Sequence, residues 1–166
     1  TNVTFEACTD NASYHPGRCA CVYAGETLLG VFGQIHPLVA ANYGVDSEIY
    51  TAELSFEAMY EMRGGIPVYQ PLPKFPAVTR DIAVVCDEAV TVGALEESIR
   101  RGAKGLLKDV SLFDIYRGPG VADGKKSVAF NLVLRADDRS LTGDEADEDV
   151  QSILAALSAD HGAVLR

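Results

Sequence analysis

The sequence lacks any apolar run approaching the roughly 20 residues that a membrane-spanning helix needs. Residues Thr1 to Asp10 also lack the basic-then-apolar order that is typical of a signal peptide. These two absences favour a cytoplasmic protein without a membrane partner. At 166 residues and 48% hydrophobic composition, we expect one ordinary globular domain or two small ones.

The four cysteines form no CxxC pair, so their spacing supports neither a disulfide framework nor a zinc site; they are Cys8, Cys19, Cys21 and Cys86. We expect free thiols. His15 and His36 each precede a proline, a setting that favours turns, and neither has a second ligand at a metal-binding spacing. The sequence therefore predicts no metal or cofactor within this chain.

Positive charge is also scarce, since 14 Lys and Arg face 24 Asp and Glu for a net charge of −10. This balance weighs against a nucleic-acid partner, because neutralised phosphates normally supply much of the affinity. The charge is uneven, however. Residues 71–135 hold ten basic against eight acidic residues, whereas residues 1–70 hold two against eight. We expect any RNA contact to lie within residues 71–135.

Glycine and proline are concentrated in residues 61–76, where such residues punctuate and stiffen a linker. We place a domain boundary there, dividing the chain into residues 1–70 and 71–166. In residues 1–70 the pattern predicts two strands, Arg18–Ala24 and Thr27–Ile35, that form a hairpin. A short helix from Pro37, a strand over 48–54 and a helical turn capped by Ser55 follow. These elements give a thin core, so we expect the first part to belong to a larger fold.

The second part has a clear alternation of elements. Strands are predicted over 81–86, 106–116 and 126–135, with a helix capped by Thr91 after the first strand. A capping box at Thr142 and Glu145 begins a second helix, which Gly162 ends before a short last strand. The order βαββαβ predicts an α+β, ferredoxin-like fold. The acidic run 144–149 lies in the first turns of the second helix, where we expect it to be solvated and to face away from RNA.

A ferredoxin-like sheet is covered by helices on one face only, so side-chain parity predicts what the other face carries. We expect the helix-covered face to contain Val128, Phe130, Leu132, Leu134, Phe113 and Ile115. Asp114 and Tyr116 then project from the open face beside the small residues Ser127 and Ala129. An aromatic ring and a carboxylate could bind a splayed base, although an exposed Tyr is also common in strands for packing reasons alone.

Four motifs in this second part carry a specific resemblance: PKFPAVTRDIA from Pro73, LFDIYRG from Leu112, GKKSVAF from Gly124 and RSLT from Arg139. In this order they closely resemble the ferredoxin-fold anticodon-binding domain of phenylalanyl-tRNA synthetase β chains. The segments HPGR from His15 and GVFGQIHP from Gly30 resemble the end of that family's catalytic-like core domain. That core has a class II synthetase-like α+β fold without an active site.

The resemblance implies an α2β2 enzyme that uses ATP and Mg²⁺ to charge phenylalanine tRNA, with catalysis in the α subunit. This chain would itself catalyse nothing and would bind the anticodon stem-loop. Asp114 and Tyr116 fall where anticodon bases are expected to be read. Arg80, Arg117 and Lys126 become candidates for phosphate contacts, the alternative being solvation at the surface or ion pairs with Asp81, Asp114 and Asp123.

Two other kinds of function stay open at this point. A ferredoxin-like module can sense a small ligand or carry a metal, but metal carriage needs a CxxC in the first loop, where Cys86 offers one thiol. The open sheet could instead dock on a protein, which the acidic composition favours. No sequence feature suggests DNA as a partner.

Overall fold

A computed structural model describes residues 3–65, 68–69 and 71–166. The chain divides into two compact units, Thr1–Gln70 and Pro71–Arg166, each described by itself below. Among the described residues, no helix is both long and apolar enough to cross a membrane.

The first unit is a four-stranded antiparallel sheet with strand order β1-β2-β3-β4. Its elements are β1 Val3–Ala7, β2 Tyr14–Ala24, β3 Thr27–Ile35, α1 Pro37–Asn42, β4 Tyr50–Leu54 and α2 Phe56–Glu61. The predicted hairpin forms, with Ala24 paired to Thr27 across a turn in which Gly25 has φ 60°. The sequence analysis missed β1, and His15 lies within β2 rather than in a turn.

The core of the first unit is small. Val22, Ala24 and Leu29 are buried together, and Ala58 and Met62 pack against them. Several large apolar side chains of this unit remain exposed instead, among them Phe5, Leu28, Phe32, Tyr43 and Phe56.

The second unit has the predicted βαββαβ order: β5 Val78–Asp87, α3 Val92–Gly102, β6 Leu107–Tyr116, β7 Lys125–Leu134, α4 Gly143–His161 and β8 Val164–Leu165. Its sheet has strand order β6-β7-β5-β8, and neighbouring strands are antiparallel. β7 therefore lies between β5 and β6, the two strands that α3 connects. This arrangement confirms the ferredoxin-like fold.

Both long helices begin at the residues that the sequence predicts. The hydroxyl of Thr91 accepts a hydrogen bond from the Ala94 amide at the start of α3. Thr142 and Glu145 form the full capping box of α4. Hydrogen bonds from the Thr142 amide and the Arg139 guanidinium lower the pKa of Glu145 to about 2, so its carboxylate stays charged at the positive end of the helix.

The core of the second unit lies between the sheet and the two helices. Val128, Phe130, Leu132 and Leu134 of β7 are fully buried, as their parity predicts. Val128, Phe130 and Leu132 belong to one core cluster with apolar side chains from β5, α3 and α4 that include Val84, Leu95, Ile99, Ile153 and Leu157.

Two predictions about single residues were wrong. Phe113 was expected in the core but is 59% exposed, because a β-bulge between Leu112 and Asp114 leaves it without a partner residue on β7. Asp149 was expected in solvent but is 1% exposed, and its carboxylate accepts a hydrogen bond of 2.6 Å from the Lys104 amide.

Candidate nucleic-acid interface

We call the sheet surface opposite α3 and α4 the open face. The register of the strands defines it: Tyr116 of β6 pairs with Ser127 of β7, which pairs with Val85 of β5. In the adjacent row, Asp114 pairs with Ala129, which pairs with Ala83. Their neighbours Ile115 and Val128 pack in the core, so these six side chains point the other way. Strand parity thus predicted the side of Asp114 and Tyr116 correctly.

The ring of Tyr116 is held by the loop that follows its own strand. Its hydroxyl donates a hydrogen bond of 3.2 Å to the Pro119 carbonyl oxygen. Gly118 lies so close that a Cβ there would stand 2.9 Å from the hydroxyl oxygen, and its φ of 158° also disfavours a side chain. Gly118 therefore leaves the space in which the ring lies, a role that the sequence analysis did not assign to it.

Arg166 reaches the same ring from the opposite edge of the sheet. Its backbone amide donates to the Ala83 carbonyl oxygen at 2.9 Å, beside the short strand β8. Its guanidinium carbon nevertheless lies 4.8 Å from the centroid of the Tyr116 ring. Because β5 and β7 separate these two positions, the Arg166 side chain crosses the open face. The sequence analysis missed this residue.

The other predicted residues of the open face differ in accessibility. Asp114 is exposed, and within the part of the chain that the structure describes its carboxylate has no hydrogen-bond or ion-pair partner. It is available to accept hydrogen bonds from a base. Ser127 and Ala129 lie on the same face but are only 3% and 8% exposed, as small side chains between larger ones. They form the floor of the face.

Two of the three predicted phosphate-binding cations, Arg80 and Lys126, do not lie on this face. Arg80 of β5 pairs with Leu132 of β7, whose side chain is on the helix-covered side. The Arg80 Nε lies 2.8 Å from a carboxylate oxygen of Asp147 on α4. Lys126 is also on the core side, is 6% exposed, and donates to the Glu88 carbonyl oxygen at 2.9 Å.

Arg117 lies just beyond β6 and forms a bidentate ion pair with Glu88. The Arg117 Nη2 and Nε atoms lie 2.6 Å and 3.1 Å from the Glu88 Oε1 atom. The hydrogen bond from Arg117 lowers the pKa of Glu88, so the pair stays charged at neutral pH. Ion pairing, the alternative weighed for Arg80 and Arg117, does occur. The partners are Asp147 and Glu88 rather than the acids considered from the sequence.

The histidines and cysteines build no second site. The rings of His15 and His36 stack at 6.5 Å, and the Nδ1 atoms accept hydrogen bonds from the Gly17 and Leu38 amides respectively. The cysteines are free thiols. In residues 3–65, 68–69 and 71–166, no group of three or more His, Cys, Asp or Glu could hold a metal ion.

Comparison with known proteins identifies the families that the two units resemble. Residues 73–166, more than half of the chain, match the family described as the ferredoxin-fold anticodon binding domain. The chain belongs to this family. Residues 1–56 match a second family, described as the phenylalanyl tRNA synthetase beta chain CLM domain. The resemblance found in the sequence motifs is confirmed.

Individual relatives extend over nearly the whole chain. The phenylalanine–tRNA ligase beta subunit of Geobacillus kaustophilus is 43% identical over 155 residues, which are 93% of this chain and 19% of the relative. The beta subunit of Symbiobacterium thermophilum is 44% identical over 93% of this chain and 17% of its own length. That of Bacillus subtilis is 39% identical over 95% and 20%. The chain therefore spans about a fifth of the length of these relatives.

Proposed function

We propose that this chain is the C-terminal part of a phenylalanyl-tRNA synthetase β subunit, and that its second unit binds the anticodon stem-loop of phenylalanine tRNA. The observation that carries the proposal is that Tyr116 and Asp114 lie on the open face at neighbouring same-face positions of β6, in a chain of the anticodon-binding family. The ring offers a surface on which a base can stack, and the carboxylate offers hydrogen-bond acceptors for a base edge.

Ser127 and Ala129 would lie beneath the bound base, because both occupy the floor of the open face. Arg117 would exchange Glu88 for a phosphate, since its side chain is about half exposed. Arg80 would have to leave Asp147 to do the same. Lys126 has the weakest support as a phosphate contact, because its buried ammonium already binds a backbone carbonyl.

The complete enzyme, in this proposal, is an α2β2 assembly in the cytoplasm that charges tRNA with phenylalanine using ATP and Mg²⁺. Residues 1–70 would be the end of the catalytic-like core domain of the β subunit, next to the α subunit that carries out catalysis. In this proposal the chain binds RNA, and the chemical steps belong to the α subunit. Neither DNA nor a membrane is a partner in this proposal.

The test measures binding of the chain to an RNA hairpin with the anticodon stem-loop sequence of phenylalanine tRNA. Stacking on an aromatic ring is worth about 1–3 kcal/mol per base, so Tyr116→Ala should raise Kd roughly tenfold or more. Tyr116→Phe keeps the ring and loses only the bond to the Pro119 carbonyl oxygen, so it should cost much less. Tyr43→Ala, at a highly exposed tyrosine of the first unit, should leave Kd unchanged.

Thermal unfolding of each variant separates lost binding from lost folding. If Tyr116→Ala remains folded and binds the hairpin as well as the unmodified chain, the anticodon-reading role of Tyr116 is wrong. If the unmodified chain binds neither this hairpin nor full-length phenylalanine tRNA, docking on a protein becomes the better account of the open face.

A further inference from the structure

We propose that Arg166 is a second RNA-binding residue of the open face, and that it contacts the phosphate of the nucleotide whose base stacks on Tyr116. This inference rests on the proposed function and adds a residue to its site. None of the sequence motifs contains Arg166, and the strand order alone brings it to the ring.

The position of the guanidinium is the first argument. The side chain of Arg166 starts beside β8 and ends over the ring of a residue on β6, with β5 and β7 between them. A base that stacks on this side of the ring takes the place of the guanidinium. The long side chain can then move aside and remain near the same nucleotide. Its planar fork of donors suits two phosphate oxygens at once.

The charge of the surrounding residues is the second argument. Half of the twelve Lys and Arg residues of this unit are already paired with carboxylates within 4.0 Å; they are Arg80, Arg101, Lys108, Arg117, Lys125 and Arg139. Arg166 differs, because among the described residues it has no carboxylate partner and its side chain contacts an aromatic ring. Its charge is thus available to a ligand without breaking an ion pair.

The open face carries two acidic side chains that would disfavour RNA in the absence of Arg166. Asp114 and Asp81 both project from this face, and Asp81 accepts a hydrogen bond from Asn131 rather than pairing with a cation. Their carboxylates repel a phosphate backbone. A cation beside Tyr116 offsets this repulsion where a base would bind. In a chain with a net charge of −10, such a local cation matters more than it would in a basic protein.

The experiment compares Arg166→Gln, Arg166→Lys and the unmodified chain for binding to the same anticodon stem-loop hairpin. Arg166→Gln should raise Kd roughly tenfold and reduce the slope of log affinity against log salt by about 0.7–1, the value for one phosphate contact. Arg166→Lys keeps the charge but loses the bidentate geometry, so its Kd should lie between those of the unmodified chain and Arg166→Gln. Arg100→Gln removes the same charge from the exposed side of α3 and should change neither quantity substantially.

Hairpins in which one loop phosphate at a time is replaced by an uncharged methylphosphonate identify the contact. At one position the replacement should weaken the unmodified chain but leave Arg166→Gln unaffected. Equal weakening of both proteins at every position would overturn the proposal. So would Arg166→Gln binding the native hairpin equally well, or more tightly, which would make Arg166 a placeholder that a base displaces.

The variants of Tyr116 distinguish this inference from the proposed function. If Tyr116→Ala weakens binding and Arg166→Gln does not, the anticodon-binding function stands and the role of Arg166 fails. If the unmodified chain does not bind the hairpin, both fail together.

Discussion

Asp149 shows how one residue of a charged run can have a structural role that its neighbours lack. It lies in the acidic first half of α4, yet its carboxylate is buried and binds the Lys104 amide, beyond the end of α3. Its second oxygen is buried and, within the described residues, has no hydrogen-bond partner. Asp149 therefore joins the two helices through a hydrogen bond from an amide that α3 itself does not satisfy.

Replacing Asp149 tests this role. Asp149→Ala leaves the partly buried Lys104 amide without its acceptor, and an unsatisfied donor costs about 1–3 kcal/mol, so we expect the free energy of unfolding to fall by about that amount. Glu148→Ala is the matched control, since it removes an exposed acid from the same helix and should stay within about 0.5 kcal/mol of the unmodified chain. Urea unfolding measures both. Equal stability of the two variants would contradict the role.

Sequence reasoning reached some residues of the open face and not others, for a physical reason. Tyr116 and Asp114 follow from the alternation of side chains along one strand, which is a local property. The contact between Arg166 and Tyr116 depends on strand order, because residues far apart in the chain meet only when the sheet is assembled. The accessibility of Lys126 depends likewise on neighbours contributed by another segment, including the Glu88 carbonyl.

Strand β6 shows the same limit at the scale of an element. Val110 and Leu112 pair with core residues of β7 before the bulge, and Ile115 does so after it. The extra residue shifts the alternation by one, so a single parity cannot describe the whole strand. The parity inferred from Ile115 was right for Asp114 and Tyr116, which follow the bulge, and failed at Phe113, the bulge itself. No residue type in LFDIY signals the irregularity.

The two glycines of α3 provide a test of helix packing. A Cβ on Gly102 would lie 2.7 Å from the Ala156 side chain and 3.1 Å from the backbone of Ile153, so Gly102 permits the close approach of α3 and α4. Gly102→Ala should destabilise the unit by about 1–3 kcal/mol through overpacking. Gly93 has no atom within 4 Å of its Cβ position, and Gly93→Ala should stabilise by about 0.4–1 kcal/mol by restricting the unfolded chain.

The opposite signs of these two changes make the comparison informative, since both variants gain the same methyl group in the same helix. Thermal unfolding of the second unit gives both values. A stabilising Gly102→Ala would mean that the helices can separate at little cost, and the close approach would then have no structural role.

At the scale of the whole molecule, the two units differ in how much core each one contains. The second unit buries apolar side chains from all its long strands and both helices in one cluster. The first unit buries three residues in its cluster, while aromatic side chains such as Phe5 and Phe56 remain exposed. The sequence predicted this difference from the density of elements. β1 was not predicted, although Val3, Phe5 and Ala7 alternate with Thr4 and Glu6 along it, and the strand is exposed throughout.

This difference predicts different behaviour when the two units are produced separately. Residues 71–166 should unfold in one cooperative transition, because their core cluster is complete within that range and a domain of this size can bury enough surface to fold alone. Residues 1–70 should show a weak transition or none, and should self-associate through their exposed apolar side chains. Differential scanning calorimetry and light scattering measure the two properties. A monomeric, cooperatively folding fragment of residues 1–70 would contradict the inference that its core is incomplete.

The Gly33→Ala variant of the 166-residue chain adds a test. The new Cβ would lie 2.5 Å from the Arg18 carbonyl oxygen. The variant should therefore disturb the first unit and leave the main unfolding transition, that of the second unit, in place.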